Sequence, residues 1–194
     1  MNMLSNIKKL KLVIVDFDNT LFDTNKVNFI SYKKAFNDHS IKFNLMMFKE
    51  FAGLNKKDFY QKVIGKKSLS ITDSIYEKKK LYYSKNLRLI KLNVQLLSIL
   101  MIFKKSKINI CLVSNASSET INLVLKKYKL DKFFKDIVTS KDMLGCKSDG
   151  LAFKKLMIKF DASKNNTIVI DDNELGLKAS KKNNLQTFIV KNFI

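Results

Sequence analysis

Five short runs of apolar residues mark out the chain: Lys11-Leu12-Val13-Ile14-Val15, Ile108 to Val113, the pair Ile137-Val138, Thr167-Ile168-Val169-Ile170, and Thr187-Phe188-Ile189-Val190. They are continuous rather than alternating and rich in β-branched residues, the pattern of a strand covered on both faces in a parallel sheet. Between the later runs the apolar spacing becomes helical, over Glu119 to Tyr128, Leu151 to Phe160 and Glu174 to Asn183. Strand followed by helix, repeated, predicts βαβ units with right-handed crossovers. The expected class is therefore α/β, a parallel five-stranded sheet flanked by helices.

One interval breaks this rhythm. Roughly 90 residues separate the first two strand runs, far more than a crossover helix needs. Within them the pattern is helical throughout, with stripes at Phe29, Tyr32, Ala35 and Phe36, at Met46, Met47, Phe48 and Phe51, at Phe59, Tyr60, Val63 and Ile64, and at Ile75, Leu81 and Tyr82. The excess is expected to be an inserted all-helical body over residues 24–87, its aromatic and Met stripes forming its own core. Residues 1–23 and 88–194 would then make the α/β body, with a helix over Leu92 to Phe103 returning the chain to the sheet.

Composition changes this picture little. Of the 194 residues 46% are hydrophobic and 11% aromatic, enough for a folded core, which excludes a disordered polyelectrolyte. The formal charge of +20, from 37 basic and 17 acidic residues, opens a nucleic-acid or acidic-surface reading. Against it, Arg88 is the one arginine among the basic residues, and Arg is the side chain that forks onto phosphates and guanines. Pro is absent and Gly scarce, so the excess of Lys reads as a skew of the whole chain, and runs such as Lys78-Lys79-Lys80 as solvated helix faces. Cys111 falls inside a strand run and Cys146 in a loop, with nothing to pair them, which suits a reducing compartment. No apolar run is long enough to span a bilayer or serve as a signal segment. A cytoplasmic protein with no membrane partner, a monomer or weak dimer, is expected.

The candidate chemistry lies at the ends of the strand runs. Asp16-Phe17-Asp18-Asn19-Thr20 follows the first, and residues two apart in an extended segment project to one side. Asp16 and Asp18 would thus share a crevice, which suits them if a divalent cation sits between them or one keeps its proton; a pair of solvated loop acids is the plain alternative. Ser114-Asn115-Ala116-Ser117 closes the second run, where a hydroxyl and backbone N–H groups could cradle phosphoryl oxygens, or Ser117 or Ser118 could simply cap the next helix. Lys147 precedes a helix and could neutralise a carboxylate and an incoming phosphoryl group. Asp171-Asp172 follows the fourth run and offers the hard oxygen ligands that suit Mg²⁺. All four features fall where ligands collect in α/β sheets.

Their order resembles the haloacid dehalogenase superfamily, in the branch of phosphoglycolate phosphatases and β-phosphoglucomutases with a helical cap between the first two motifs. The stretches that carry the resemblance are Asp16-Phe17-Asp18-Asn19-Thr20-Leu21, Val113-Ser114-Asn115, Lys147-Ser148-Asp149-Gly150 with Phe153, and Asp171-Asp172-Asn173 with Gly176 to Lys181. The resemblance implies a Rossmann-like core with a cap domain and a Mg²⁺-dependent phosphohydrolase acting on a small phosphorylated metabolite. It also implies Asp16 as nucleophile, Asp18 as general acid and base, and a Mg²⁺ site from Asp16, Asp172, the Asp18 carbonyl and Asp171 in support. Ser114, Asn115 and Lys147 would bind the phosphoryl group, Thr20 joining them by fixing the turn. Ser148 stands where the family commonly has Pro, and Gly176 where some branches place an Asp. The acid at position 18, absent from the true dehalogenases, favours phosphate esters. Phe51 to Lys57 resembles the cap loop that presents a basic residue to phosphosugars, which makes Lys56 a candidate substrate contact. His39 is assigned no chemistry. Two other functions stand beside the phosphatase: a β-phosphoglucomutase-like phosphomutase, and a basic nucleic-acid-binding protein on the same core.

Overall fold

The computed structural model describes residues 9–51, 54, 56–65, 71–143 and 147–191, without the side chains of residues 56 and 57. The chain divides into two compact units: one runs up to Asp23 and resumes at Leu92, the other is Thr24–Lys91.

The first unit is built on a five-stranded sheet of β1 (Leu12–Val15), β2 (Asn109–Val113), β3 (Asp136–Val138), β4 (Thr167–Asp171) and β5 (Gln186–Ile189), in the order β3-β2-β1-β4-β5. Every pairing is parallel. Val13 sits between Ile110 on one side and Ile168 on the other, which places β1 at the centre of the sheet. All four residues of β1 are fully buried, as a strand sandwiched between helical layers must be. One face, carrying Leu12, Ile14, Cys111, Val113 and Val169, packs on Ala152, Phe153 and Leu156 of one helix and Ala179 of another. Cys111 is part of this core, and burial pushes its thiol up to about 12, which makes it a packing residue. Cys146 lies outside the described residues.

From β1 the chain passes to β2 and outward to β3, then crosses back to β4 and outward to β5. The direction of winding reverses beside β1, so the loops after β1, β2 and β4 open on one crevice at the carboxyl ends of the strands. Two further strands of two residues each, Phe22–Asp23 and Lys91–Leu92, form a separate ribbon.

The second unit is helical among the described residues: α1 (Asn25–Asn37), α2 (Leu45–Glu50), α3 (Lys56–Ile64) and α4 (Thr72–Lys85). Its core gathers Ala35, Phe36, Phe43, Phe59, Tyr60 and Ile75, with Tyr32 and Phe59 rings 4.7 Å apart and Phe36 and Phe43 rings 4.8 Å apart. Phe43 belongs to the connection between α1 and α2, outside any helical stripe. Two residues expected inside point outward, Met46 at 71% and Leu81 at 51% exposure. The cause is phase. On α4 the buried positions are Ile75, Lys79 and Tyr83, a strict four-residue spacing, and Leu81 lies half a turn away. Lys79 keeps its place in that stripe because its ammonium sits over the rings of Tyr32 and Tyr83, at 5.0 and 4.6 Å. His39 meets Ser74 at 3.2 Å on the surface.

The remaining helices belong to the sheet unit: α5 (Val94–Lys105), α6 (Ser118–Lys127), α7 (Leu151–Lys159) and α8 (Glu174–Lys182). None of the described helices is long and apolar enough to cross a membrane. Helix α5 starts at a buried cap: Asn93 Oδ1 accepts from Leu96 N at 3.0 Å, and Asn93 Nδ2 donates to the Thr20 carbonyl at 3.2 Å. The Asn93 backbone N–H donates to the Leu21 carbonyl at 2.9 Å, so one residue fixes both the helix and the loop after β1. Replacing Asn93 by Ala should lower the unfolding free energy by roughly 1–3 kcal/mol, the sum of a lost cap and a buried carbonyl left without its donor. Asn93→Asp, which keeps the acceptor alone, should fall between the two in a denaturant titration; equal stability of all three proteins would refute this role.

Candidate active site

The loop after β1 is a closed turn. Asp16 N–H still follows the sheet, donating to Ile170 at 2.9 Å, while Asn19 N–H reaches the Phe22 carbonyl at 2.6 Å and Phe22 N–H the Phe17 carbonyl at 3.0 Å. Asn19 takes φ 57°, the left-handed conformation that Asn tolerates better than most residues. Phe17 is buried, its ring 5.1 Å from that of Phe22, which sends Asp16 and Asp18 to the other side of the chain. Asp16 is buried and Asp18 half-buried.

Across the sheet, Asp171 ends β4 and is fully buried, with Asp172 beyond it. Asp16, Asp171 and Asp172 can each offer one oxygen such that the three lie within 4.8 Å of one another. Between two of them sits the ammonium of Lys147, 2.5 Å from Asp16 Oδ1 and 2.5 Å from Asp171 Oδ2. Lys147 is itself buried, on a 3₁₀ turn over Lys147–Asp149 that leads into α7. That turn is held at both ends. Asn115 Oδ1 accepts from the Lys147 backbone N–H at 3.0 Å, and Asn183 Nδ2 donates to the Gly150 carbonyl at 2.9 Å. Gly150 has φ 79°, and a β-carbon there would stand 2.6 Å from Asn183 Nδ2, so the position requires Gly on both counts.

The fourth motif is equally constrained. Asn173 caps α8, its side chain accepting from Leu175 N at 2.8 Å and Gly176 N at 3.3 Å, while its Nδ2 donates to Asp172 Oδ1 at 2.8 Å. The Thr20 hydroxyl also reaches Asp172 Oδ1, at 3.4 Å. A β-carbon at Gly176 would collide with the Asp171 carboxylate, so the glycine makes room for that buried acid against the helix.

Three carboxylates facing one ammonium leave an excess of negative charge in a dry place. Asp16 answers by holding a proton: its pKa rises to about 8, first through burial, opposed by Lys147 and reinforced by the charges of Asp171 and Asp18. Burial, then the Asp171 charge, likewise raises Asp172. For Lys147 burial works downward, but the two carboxylates outweigh it and hold the ammonium above the usual lysine range. Asp16 Oδ2 is buried with no hydrogen-bond partner. An unpartnered carboxylate oxygen among three hard oxygen donors fits a divalent cation such as Mg²⁺.

The structure therefore brings Asp16, Asp171, Asp172, Lys147 and Thr20 together. Asp18 stands outside the three-acid group and acts on Asp16 through its charge. Ser114 is buried, its Oγ accepting from Ala116 N at 3.1 Å; Ser117 is the cap of α6, accepting from Thr120 N at 3.3 Å. The Lys56 side chain lies outside the described residues. The roles of Asn173, Asn183 and Gly176 in holding the acids and the lysine were not read from the sequence; the nearest signal was their place in and around the fourth motif.

Known proteins are similar to this chain in sequence or in fold. The pyrophosphatase PpaX of Oceanobacillus iheyensis is 22% identical over 185 residues, 93% of this chain and 83% of that protein. CbbY from Rhodobacter sphaeroides, solved in complex with phosphate, matches with a TM-score of 0.84 at 13% identity, over 95% of this chain and 87% of its own. A predicted phosphoglycolate phosphatase from Haemophilus somnus matches at 0.84 with 15% identity, over 94% and 86%. At these identities the two structures speak for the fold. The family model of haloacid dehalogenase-like hydrolases matches residues 13–190, which takes in all four acid and lysine motifs and nearly the whole chain, and this protein belongs to that family of hydrolytic enzymes.

Proposed function

We propose that this protein is a cytoplasmic, Mg²⁺-dependent phosphatase that hydrolyses a small phosphorylated metabolite through an aspartyl phosphate on Asp16. The observation that carries this reading is the bare Oδ2 of Asp16, buried beside two further acids and a lysine that fixes the other oxygen. Such an oxygen is positioned as a nucleophile once its carboxyl group is ionised.

Asp16, Asp172 and the Asp18 carbonyl would hold the cation, with Asp171 in support. The cation would neutralise the excess negative charge, keep Asp16 ionised and polarise the phosphoryl oxygens. Asp16 then attacks phosphorus as the ester P–O bond breaks, and Asp18 gives the leaving oxygen its proton. Asp18, now a base, takes a proton from water, whose oxygen attacks phosphorus and frees Asp16 and inorganic phosphate. The neighbouring groups are prepared to donate. Ser114 Oγ and Asn115 Oδ1 already accept internal hydrogen bonds, which leaves the hydroxyl proton and the amide protons for phosphoryl oxygens. Lys147 has three protons and two carboxylate neighbours, leaving one for the substrate. Thr20 aligns Asp172 from the side.

The helical unit is assigned the choice of substrate, with Lys56 as one contact. The relative named as a pyrophosphatase adds inorganic pyrophosphate to the compounds worth assaying beside phosphoglycolate and hexose phosphates.

Two outcomes test this. Asp16→Asn should reduce Mg²⁺-dependent phosphate release from an aryl phosphate by at least about a thousandfold, and Asp18→Asn by roughly a hundredfold or more. Turnover by Asp16→Asn at the wild-type rate would end the proposal. The second concerns pH. Asp16 has a raised pKa in the folded cation-free protein, so the folded state keeps a proton that the unfolded chain loses above its ordinary value of 3.8. Its contribution to stability is complete below about 4 and fades as pH climbs to about 8. The midpoint of thermal unfolding without metal should therefore fall over that range more steeply for wild type than for Asp16→Asn, and added Mg²⁺ should offset the fall in wild type; parallel curves for the two proteins would contradict it.

A further inference from the structure

Helix α5 is the most apolar of the described surface helices, yet only part of it is covered. Leu96 and Leu100 are buried, while Val94, Ile99, Met101 and Ile102 are 63%, 47%, 48% and 58% exposed. The exposed positions follow one another along the helix at three- and four-residue steps, from Val94 through Ser98 to Met101 and from Gln95 through Ile99 to Ile102. They form one exposed face about 12 Å long from Val94 to Ile102, with Gln95 and Ser98 among the apolar residues. Isolated exposed aliphatic residues need no explanation, but four on one face of one helix do.

The charge at the end of the stripe is predominantly basic, Asp131 beside Lys132 being the exposed acid near it. Between Glu77 and Glu119 the sequence contains no acidic residue. The stripe ends at Lys105 and Lys107, both exposed, and Lys104 reaches over the Phe133 ring at 4.4 Å to the carbonyls of Lys132 and Phe133, drawing exposed Lys132 to the same end. Among the described residues none of Lys105, Lys107 and Lys132 has a carboxylate partner.

We propose that this face of α5 docks on an anionic phospholipid surface, its aliphatic residues entering the headgroup boundary and its lysine end lying on the lipid phosphates. The chemistry selects this partner over two others. A second copy of the chain meeting this face would set one strongly basic protein against another, each of charge +20. Nucleic acid would want aromatic platforms among the lysines, whereas the exposed residues of the stripe are aliphatic. An aliphatic stripe with a basic end is the pattern of a helix lying in a bilayer interface. Such a contact is peripheral, made by one face of one helix.

The test is flotation of the full-length protein with phosphatidylcholine vesicles, with and without phosphatidylserine. Binding should require phosphatidylserine. Lys105→Gln and Lys107→Gln should each weaken the partition coefficient about fivefold, the equivalent of about 1 kcal/mol per lysine near the surface. Met101→Glu with Ile102→Glu should weaken it at least about tenfold at unchanged thermal midpoint and unchanged hydrolase activity, since both side chains are exposed. Three results would overturn the proposal: no binding to phosphatidylserine vesicles; binding that the Met101/Ile102 double variant retains in full, which is adsorption by charge alone; or a wild-type dimer in sedimentation that the double variant dissolves, which assigns the face to a second copy.

Discussion

Everything at the active site depends on a buried ammonium shared by two carboxylates. Lys147 sits 2.5 Å from both Asp16 and Asp171, and all three residues are hidden from solvent. Taking such charges out of water costs several kcal/mol each unless they meet one another in good geometry, so the arrangement exists only if three distant stretches of chain arrive together. The parallel sheet brings two of them: β1 and β4 are hydrogen-bonded neighbours in the sheet, and their ends carry Asp16 and Asp171. The third stretch must be fetched. The 3₁₀ turn bearing Lys147 is tied to the loop after β2 by Asn115 and to α8 by Asn183 through Gly150. The lysine is thus located by backbone contacts rather than by its flexible side chain, which is what the role proposed for it, facing a developing phosphoryl charge, requires.

The same logic explains the two glycines. Gly150 permits the left-handed turn and the close approach of α8, and Gly176 leaves the space that the Asp171 carboxylate occupies. A larger residue at position 176 would displace Asp171, a partner of the lysine, and one at position 150 would disturb the turn that carries the lysine itself. Asp172 is governed differently. It lies nearer to solvent and is oriented by two donors, Thr20 and Asn173, one from the first motif and one from its own. One acid is locked by burial and the other is steered by hydrogen bonds, which leaves the second better able to adjust to a cation.

The parts of this organisation written in local pattern could be read from the chain. Strands buried on both faces must be apolar throughout, so β1, β2 and β4 declare themselves, and acids directly after such strands have few structural reasons to be there. The helical unit was legible as helical but its facing was not: Met46 and Leu81 share the composition of the core without its phase, and Phe43 is buried from a connection that no periodicity marks. The least legible features are those that join separate motifs. That Asn93 braces the loop after β1, that Asn115 serves the Lys147 backbone, and that Thr20 aligns Asp172 are consequences of packing, and each of these residues has an adequate local explanation that conceals the longer-range one.

The charge distribution completes the argument. Of 17 acidic residues, Asp16, Asp18, Asp171 and Asp172 stand at or just beyond the carboxyl ends of β1 and β4, while the 37 basic residues are spread along the chain. Field and site therefore have opposite signs. Beyond the Debye length of about 8 Å at physiological salt the exposed lysines are largely screened from one another, yet their sum still draws anions toward the protein. Within the crevice the acids dominate, because burial removes the water that would screen them. A phosphorylated substrate of the kind proposed above would thus meet attraction first and repulsion last, and Lys147, the one buried cation among those acids in the described residues, is too heavily engaged to cancel the repulsion alone. For the proposed reaction the site would be balanced for a phosphoryl group only when further positive charge joined the lysine, which is the physical reason that the proposal rests on the acids and not on the abundant lysines.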